Sequence, residues 1–327
     1  MNVSVVIPTV GRPSLAGVLA VLGSPGGVEV LVVDDRRKPT GPLPTGRSPA
    51  RVLTGRGAGP AAARNVGWRA ARHPWVVFLD DDVVPDADWL RRLEADLDVP
   101  ADVGGVQGRI RVPLPAGRRP TDWERTTHAL SRGKWLTADM AYRREALAAV
   151  GGFDERFPRA YREDAELAHR MTCAGWRLVV GHRWVTHPVR AEGPWVSLRA
   201  QRGNADDALL RHLYGGRWRR IVDVPPGRRP RHALATIAGA AAVVCGATAA
   251  RPGRRRRPRR YAAGVAAAGW LAATAEFAYA RIRPGPRDGS EVLTAAVTSV
   301  LIPPMACACW LRGWLAWRGA RPVPRSG

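Results

Sequence analysis

Three short, mainly apolar runs early in the chain, Val3–Ile7, Val28–Val33 and Trp75–Leu79, each stop at polar residues: Pro8-Thr9, Asp34-Asp35 and Asp80-Asp81-Asp82. Such runs read as strands buried on both faces. Stretches with helical character lie between and after them, at Ser14–Leu22, at Pro60 to about Arg72 with proline near its start, and at Asp86–Leu97. A further helix and strand are predicted at Glu163–Ala174 and Trp176–Val180, and the Pro/Gly-rich stretch 36–58 reads as a loop. Alternating strands and helices predict an α/β domain with a mainly parallel sheet covered by helices on both faces. Ligands bind outside the carboxyl ends of the strands in such sheets. The three polar clusters are therefore expected to converge on one edge.

Asp80–Asp82 is the sharpest chemical signal. Three like charges emerging together from a buried strand repel and raise each other's pKa unless a cation lies between them. Mg²⁺ or Mn²⁺ suits that role, since both prefer carboxylate oxygen and keep phosphate or water as additional ligands. The plainer reading is an acidic helix N-terminus, with Asp86 and Asp88 opening a helix whose dipole favours anions. The Gly-rich stretch Gly55-Arg56-Gly57-Ala58-Gly59-Pro60 fits neither phosphate-loop pattern. A dinucleotide dehydrogenase or P-loop NTPase is thereby disfavoured, and metal and arginine are left to neutralise any bound diphosphate.

Taken in order, Ser4-Val5-Val6-Ile7-Pro8-Thr9, Val32-Val33-Asp34-Asp35, Gly59–Gly67 with Arg64 inside it, and Phe78-Leu79-Asp80-Asp81-Asp82 resemble the motifs of family 2 glycosyltransferases. Thr137–Arg144 and Gly151-Gly152-Phe153-Asp154-Glu155 resemble the acceptor-side segment of that family, and Arg162-Glu163-Asp164-Ala165-Glu166-Leu167 its catalytic Glu-Asp motif. The resemblance covers about residues 3–190 and implies the GT-A fold, a Rossmann-like nucleotide-diphospho-sugar transferase domain. It also implies an inverting attack by an acceptor hydroxyl on a nucleotide-sugar donor, assisted by Mn²⁺ or Mg²⁺.

Residue by residue, the resemblance assigns Asp80 and Asp82 to the metal-binding D-x-D pair, with Asp82 the closer ligand. Pro8, Thr9, Asp34, Asp35, Asp80, Asp81 and Arg64 become donor-binding residues, Arg64 bridging diphosphate oxygens. Asp164 becomes the general base, which must lie within hydrogen-bond reach of the acceptor hydroxyl. Glu163 is a possible sugar or acceptor contact, although Glu163 and Glu166 read more readily as structural, with Glu166–Arg170 a favourable i,i+4 pair. His187 is a candidate third metal ligand, weighed against the usual bystander histidine; His169 and His182 draw no role. One departure stands out. Asp139 occupies a position where the family commonly has asparagine, and Thr137 replaces a glycine, so an added carboxylate is expected at the donor or acceptor sugar.

Charge divides the chain. Residues 1–190 carry 28 Lys+Arg against 21 Asp+Glu, whereas residues 191–327 carry 23 Arg against 7 acids. The expected division is a catalytic domain at 1–220 and a basic, apolar, helical, membrane-associated region at 221–327. Its candidate segments are 233–250 and 292–311, which hold no charged residue, and 261–280, which holds only Glu276. At ~1.5 Å per residue such segments reach about 27–30 Å, the thickness of a hydrocarbon core. The positive-inside rule applied to the arginines of 251–260 predicts a catalytic domain on the cytoplasmic face, a shallow first segment and a spanning hairpin from the second and third. The alternative is an Ala-rich soluble hairpin. No cleavable signal peptide is expected, and four cysteines without zinc-ligand spacing suit a reducing compartment. The expected partners are a nucleotide-sugar, a lipid-linked or envelope glycan acceptor and a membrane. Nucleic acid is not expected, because the basic runs lack interleaved aromatics. A nucleic-acid-binding protein and a sugar nucleotidyltransferase remain as competing readings.

Overall fold

The computed structural model describes residues 2–23, 26–250 and 255–323. Its strands are β1 (Val3–Thr9), β2 (Val28–Asp34), β3 (Arg51–Thr54), β4 (Trp75–Leu79), β5 (Val84–Pro85), β6 (Val103–Arg111), β7 (Asp139–Arg143) and β8 (Arg177–Thr186). They form one sheet of order β3-β2-β1-β4-β7-β6-β8-β5. Pairing is parallel for β1–β2, β1–β4, β2–β3 and β6–β8. The strands β7 and β5 run against their neighbours.

Helices α1 (Ser14–Leu22), α2 (Pro60–Ala70), α3 (Trp89–Asp96), α4 (Asp122–His128), α5 (Arg144–Ala149) and α6 (Glu163–Cys173) belong to this layer, followed by α7 (Val196–Arg199), α8 (Asn204–Tyr214) and α9 (Trp218–Ile221). Side chains alternate across a strand, and β1 shows the result: Val3, Val5 and Ile7 face a core with Leu15, Leu19, Trp89 and Leu93. Val6 faces the opposite core with Ala61, Leu147, Leu167 and Met171. The sheet is thus covered on both faces, as the alternation predicts.

Several boundaries differ from the sequence expectation for local reasons. Residues 51–54, inside the expected loop, pair with β2 although all four are at least partly exposed and carry no apolar run. The strand β6 is diluted by glycines. A Cβ on Gly104 would meet Trp176 Cβ at 2.8 Å and its ring carbons at 2.9–3.0 Å, and one on Gly105 would lie 2.7 Å from the Tyr142 ring. Helix α3 begins at Trp89 rather than Asp86, because Val84 and Pro85 pair with β8 and the Asp86 N–H donates to the Trp184 carbonyl at 3.1 Å. The strand expected at Trp176–Val180 continues to Thr186. That extension carries His187 to the same edge as the ends of β1, β2 and β4.

The apolar tail forms α10 (Arg229–Ala249), α11 (Arg256–Ile282) and α12 (Gly289–Ala316). Asp288 caps α12 through the Ser290 and Glu291 N–H groups at 2.9 and 3.2 Å. Among the described residues, α10 and α12 are the helices long and apolar enough to cross a membrane by length and composition. The expected pairing of the second and third segments as the spanning hairpin is therefore not the one that composition selects. The polybasic stretch 251–260 is described only from Arg255 onward; residues 251–254 lie outside the described residues. Along the catalytic layer, α12 touches α8 closely: a Cβ on Gly313 would sit 2.5 Å from the Ala205 carbonyl oxygen, and Trp314 stacks on His212 at 3.9 Å. Arg281 closes the other end. It is buried and donates to Asp122 Oδ2 at 2.8 Å, Thr298 Oγ1 at 2.8 Å and Ser299 Oγ at 3.0 Å.

The packing of α2 on the sheet gives a direct test. A Cβ on Gly67 would fall 2.2 Å from Val6 Cγ1 and 3.2 Å from Val33 Cγ2. Alanine in a helix interior gains up to about 1 kcal/mol over glycine, but overpacking a buried β-branched neighbour costs about 1–3 kcal/mol. The clash wins at this distance. Gly67→Ala is expected to lower stability by about 1–2 kcal/mol in urea unfolding, with an unchanged m-value.

Candidate active site

Strand order places a switch point between β1 and β4, the crevice where open α/β sheets take ligands. Thr9 ends β1, and its Oγ1 donates to Asp81 Oδ2 at 2.5 Å across that crevice. Arg12 Nη1 donates to the other oxygen, Asp81 Oδ1, at 2.5 Å. Burial pushes the Asp81 carboxyl up, and Thr9 and Arg12 pull against it. With both oxygens taken, Asp81 ties the β1 and β4 ends together, and Pro8, half-buried one position earlier, lies beside Val33 of β2.

Asp34 and Asp35 part company. Asp34 takes Arg36 in a two-point contact, Nε at 2.8 Å and Nη2 at 2.7 Å, and the Arg36 hydrogen bond holds its carboxyl below the usual range. Asp35 instead accepts the Gly57 and Gly59 N–H groups, each at 2.8 Å. The Gly-rich stretch that matches no phosphate loop is explained here. Gly59 has φ +103°, and a Cβ on it would sit 2.3 Å from the Pro158 carbonyl oxygen.

Arg64 is the centre of the arrangement. It is 1% exposed on α2 and donates through Nη2 to Asp80 Oδ1 and through Nη1 to Glu163 Oε1, both at 2.9 Å. One guanidinium thus joins the end of β4 to the start of α6. Its Nε and the Glu163 Oε2 are buried without a hydrogen-bond partner. Burial pushes the Glu163 carboxyl up, and the adjacent Asp164 charge adds to the rise while Arg64 opposes it. Asp164 is half-buried, accepts the Ala165 N–H at 2.7 Å through Oδ1, and is raised by burial. Just before this pair, Arg162 adopts the left-handed region at φ 78°. A bulky residue is rarely found there, and such strain clusters at functional sites. Contacts to Asp207 at 3.1 Å and the Tyr161 hydroxyl at 2.9 Å hold it.

Asp82 lies at the far side of the triplet. Its Oδ1 is 3.8 Å from His187 Nε2, and its Oδ2 is 3.3 Å from Arg190 Nε. His187 Nδ1 is 3.1 Å from the Pro188 carbonyl oxygen, which can only accept, so Nδ1 carries a proton. With Nδ1 turned to that carbonyl, Nε2 is the ring nitrogen directed at Asp82 and available to a cation. Asp82 and His187 would hold a divalent ion, whose charge would offset the carboxylate. These residues fit a metal as a two-donor pair. Asp80 is committed to Arg64 through one oxygen, and among the described residues no cluster of three or more His, Cys, Asp or Glu converges as a metal cage. Phosphate oxygens and water would complete the shell.

Residues 4–151 match the family described as Glycosyl transferase family 2. An uncharacterized glycosyltransferase of Mycobacterium bovis is 34% identical over 190 residues, spanning 54% of this chain and 82% of that one. The chain belongs to glycosyltransferase family 2. A pre-mycofactocin glycosyltransferase of Mycobacterium tuberculosis is 32% identical over 232 residues, 64% of this chain and 48% of that one, so the chain spans about half the length of this relative. Among solved structures, the mannosyltransferase PcManGT of Pyrobaculum calidifontis, in complex with GDP-Man and Mn2+, shares the fold at TM-score 0.51 and 18% identity, over 97% of this chain and 88% of that one. The GT-A architecture implied by the motifs is the observed one, and membership sets the nucleotidyltransferase reading aside.

One expectation is corrected. Asp139, at the start of β7, does not present its carboxylate to a sugar. It is fully buried, accepting Trp89 Nε1 and Arg183 Nε at 2.8 Å each. Arg183, itself fully buried, also reaches Asp96 at 3.1 Å and the Val106 carbonyl at 2.8 Å. The aspartate that departs from the family pattern is matched by an arginine the sequence reading did not connect to it. Arg12 and Arg190 were likewise missed, although Arg12 stands three residues after Thr9.

Truncating one member of a buried ion pair costs about 3–5 kcal/mol because the partner charge is left alone. Arg183→Met strands both Asp96 and Asp139 and is expected to lose that amount in chemical denaturation. Asp139→Asn leaves Arg183 paired with Asp96 and is expected to lose about 1–2 kcal/mol.

Proposed function

We propose that this chain transfers a glycosyl unit, with inversion, from a nucleoside-diphosphate sugar to a hydroxyl of a lipid-linked or cell-envelope glycan. The observation that carries the reading is the buried Arg64 bridge, which sets the Glu163-Asp164 motif against the Asp80–Asp82 triplet across the switch-point crevice. The donor class agrees with the ligand of the archaeal mannosyltransferase that shares the fold.

Each role follows from position. Thr9, Pro8 and Asp34-Asp35 border the nucleoside end of the crevice, and Asp81 fixes their spacing. Arg64 and Arg12 place guanidinium charge where a diphosphate would lie. Asp82 and His187, with Asp80 beside them, would hold Mn²⁺ or Mg²⁺, which supplies Lewis-acid neutralisation of the departing diphosphate. Asp164 takes the acceptor proton as the new glycosidic bond forms, and its raised pKa suits a base working nearer neutral pH. Glu163 holds Arg64 and thereby positions Asp164. The division into a catalytic domain at 1–220 and a membrane-associated region at 221–327, with the catalytic side in the cytoplasm, belongs to the same proposal. Its support is the exposed apolar surface of α10, where Leu234 and Val243 are 69% and 71% exposed.

Two measurements test this. In a binding and turnover screen of UDP-, GDP- and dTDP-sugars, Asp82→Ala should lose metal-dependent binding. Asp164→Asn should retain binding and lose about 10²–10⁴-fold in kcat, the contribution of a positioned base. Equal turnover in Asp164→Asn and wild type would remove Asp164 from its role. The second is the pH profile. Asp164 works ionised, so the rate should climb with pH through its folded-state pKa and level off above it. Because burial raises that pKa, the acid limb should lie above the ordinary aspartate value of about 3.9. A limb at or below that value contradicts the assignment.

A further inference from the structure

The loop between β6 and α4 and the turn between α11 and α12 enclose an open cleft of about 730 Å³, lined by Arg119, Tyr279, Ala280, Arg283, Pro284 and Arg287. Half of that lining is arginine. Among the described residues, none of the three is ion-paired; the contacts made are Arg119 Nη1 to the Arg283 carbonyl at 3.5 Å and Arg283 over the Tyr279 ring at 6.0 Å.

The acids nearby are committed elsewhere. Glu124 takes Arg118 through both oxygens at 2.6 and 2.8 Å, and Asp288 caps α12. Glu291 accepts the Asp122 N–H at 2.9 Å, and Asp122 in turn takes Arg281. Three guanidinium groups therefore share one cleft with no counter-charge of their own. All three are exposed, so the cleft offers its positive charge to an anion from outside, and the guanidinium fork matches the oxygens of a phosphate.

The cleft is built into the fold. The half-buried Arg281–Asp122 pair and the bond from Arg125 Nη2 to the Arg281 carbonyl at 2.7 Å fix the α11–α12 turn against α4. Its surroundings are apolar and open: Tyr279 on α11 is 63% exposed and Leu293, near the start of α12, 65%. On the other side α4 leads to the active site, since Trp123 Nε1 donates to the Arg190 carbonyl at 3.2 Å and Arg190 Nε lies 3.3 Å from Asp82.

We propose that Arg119, Arg283 and Arg287 bind the phosphate of a membrane lipid, whose chain lies along the exposed apolar faces of α11 and α12. This rests on the membrane association proposed above and not on the transfer reaction, so binding can be read without turnover.

Flotation of the full chain with vesicles tests it. The vesicles are phosphatidylcholine alone, phosphatidylcholine with phosphatidylglycerol, and phosphatidylcholine with a polyprenyl phosphate. The cleft variant R119Q/R283Q/R287Q is compared with wild type and with R256Q/R257Q/R260Q, which removes three arginines at the opposite end of α11. Each arginine near an anionic surface contributes about a fivefold gain in affinity, so the cleft variant should lose about a hundredfold on phosphate-bearing vesicles, and R287Q alone about fivefold. Preference for the polyprenyl phosphate points to the acceptor, and equal binding of both points to bilayer phospholipid; either supports the cleft. A cleft variant that binds like wild type, or that loses no more than the α11 control, overturns the proposal. Nucleotide-sugar binding by calorimetry should be unchanged in the cleft variant, which shows that it is folded. Lipid binding that depends on the cleft, in a protein that binds no nucleotide-sugar, would remove the transferase reading and leave this one standing.

Discussion

The site depends on one buried cation. Arg64 joins Asp80 to Glu163, and without it both carboxylates would lose the guanidinium that pairs them beside Asp164. A charge buried this deeply is tolerated only when it is paired and hydrogen-bonded. Its position on α2 in turn requires that helix to lie close against β1 and β2, which Gly67 permits. Packing and catalysis are therefore coupled through one helix: what seats α2 on the sheet also sets the distance between the two acidic motifs.

Elsewhere, too, carboxylates are organised by arginine. Arg12, Arg64 and Arg190 each face one member of the Asp80–Asp82 triplet, and Arg183 neutralises Asp139 and Asp96 inside the core. Arg suits this because its planar fork satisfies two acceptors at once. Asp139 and Arg183 form a buried scaffold pair, so the Asp139 carboxylate is neutralised inside the core and adds no exposed charge. The strained Arg162 stands at the junction where the backbone turns into α6 and delivers Asp164 to the crevice.

The tail is joined to the sheet layer at two places, by Arg281 of α11 with Asp122 and by Trp314 of α12 with His212. Of the two helices long and apolar enough to cross a membrane among the described residues, α12 is the more apolar and the more buried. Three arginines without an ion pair among the described residues, Arg119, Arg283 and Arg287, line the cleft where α11 turns into α12, and α4 lies between that cleft and the active site.

Much of this was legible in the order of residues. Apolar runs that stop at Thr9, Asp34 and Asp80 mark strands whose ends share an edge, because period and burial are local properties of the chain. The motifs from Ser4 to Leu167 likewise named the family, and the segments with no charge or a single charge located the three tail helices. Strands without an apolar run, such as Arg51–Thr54 and the glycine-rich Val103–Arg111, were not visible, since their pairing is decided by neighbours distant in sequence. The partners of the acids were equally hidden. Nothing near Asp139 announces Arg183, and nothing near Asp82 announces Arg190, because a charge pair forms wherever tertiary packing brings the two groups within reach. Sequence alone determined which residue types stand at the strand ends; only the tertiary structure decided which of those carboxylates are held in the scaffold and which remain free to meet a ligand.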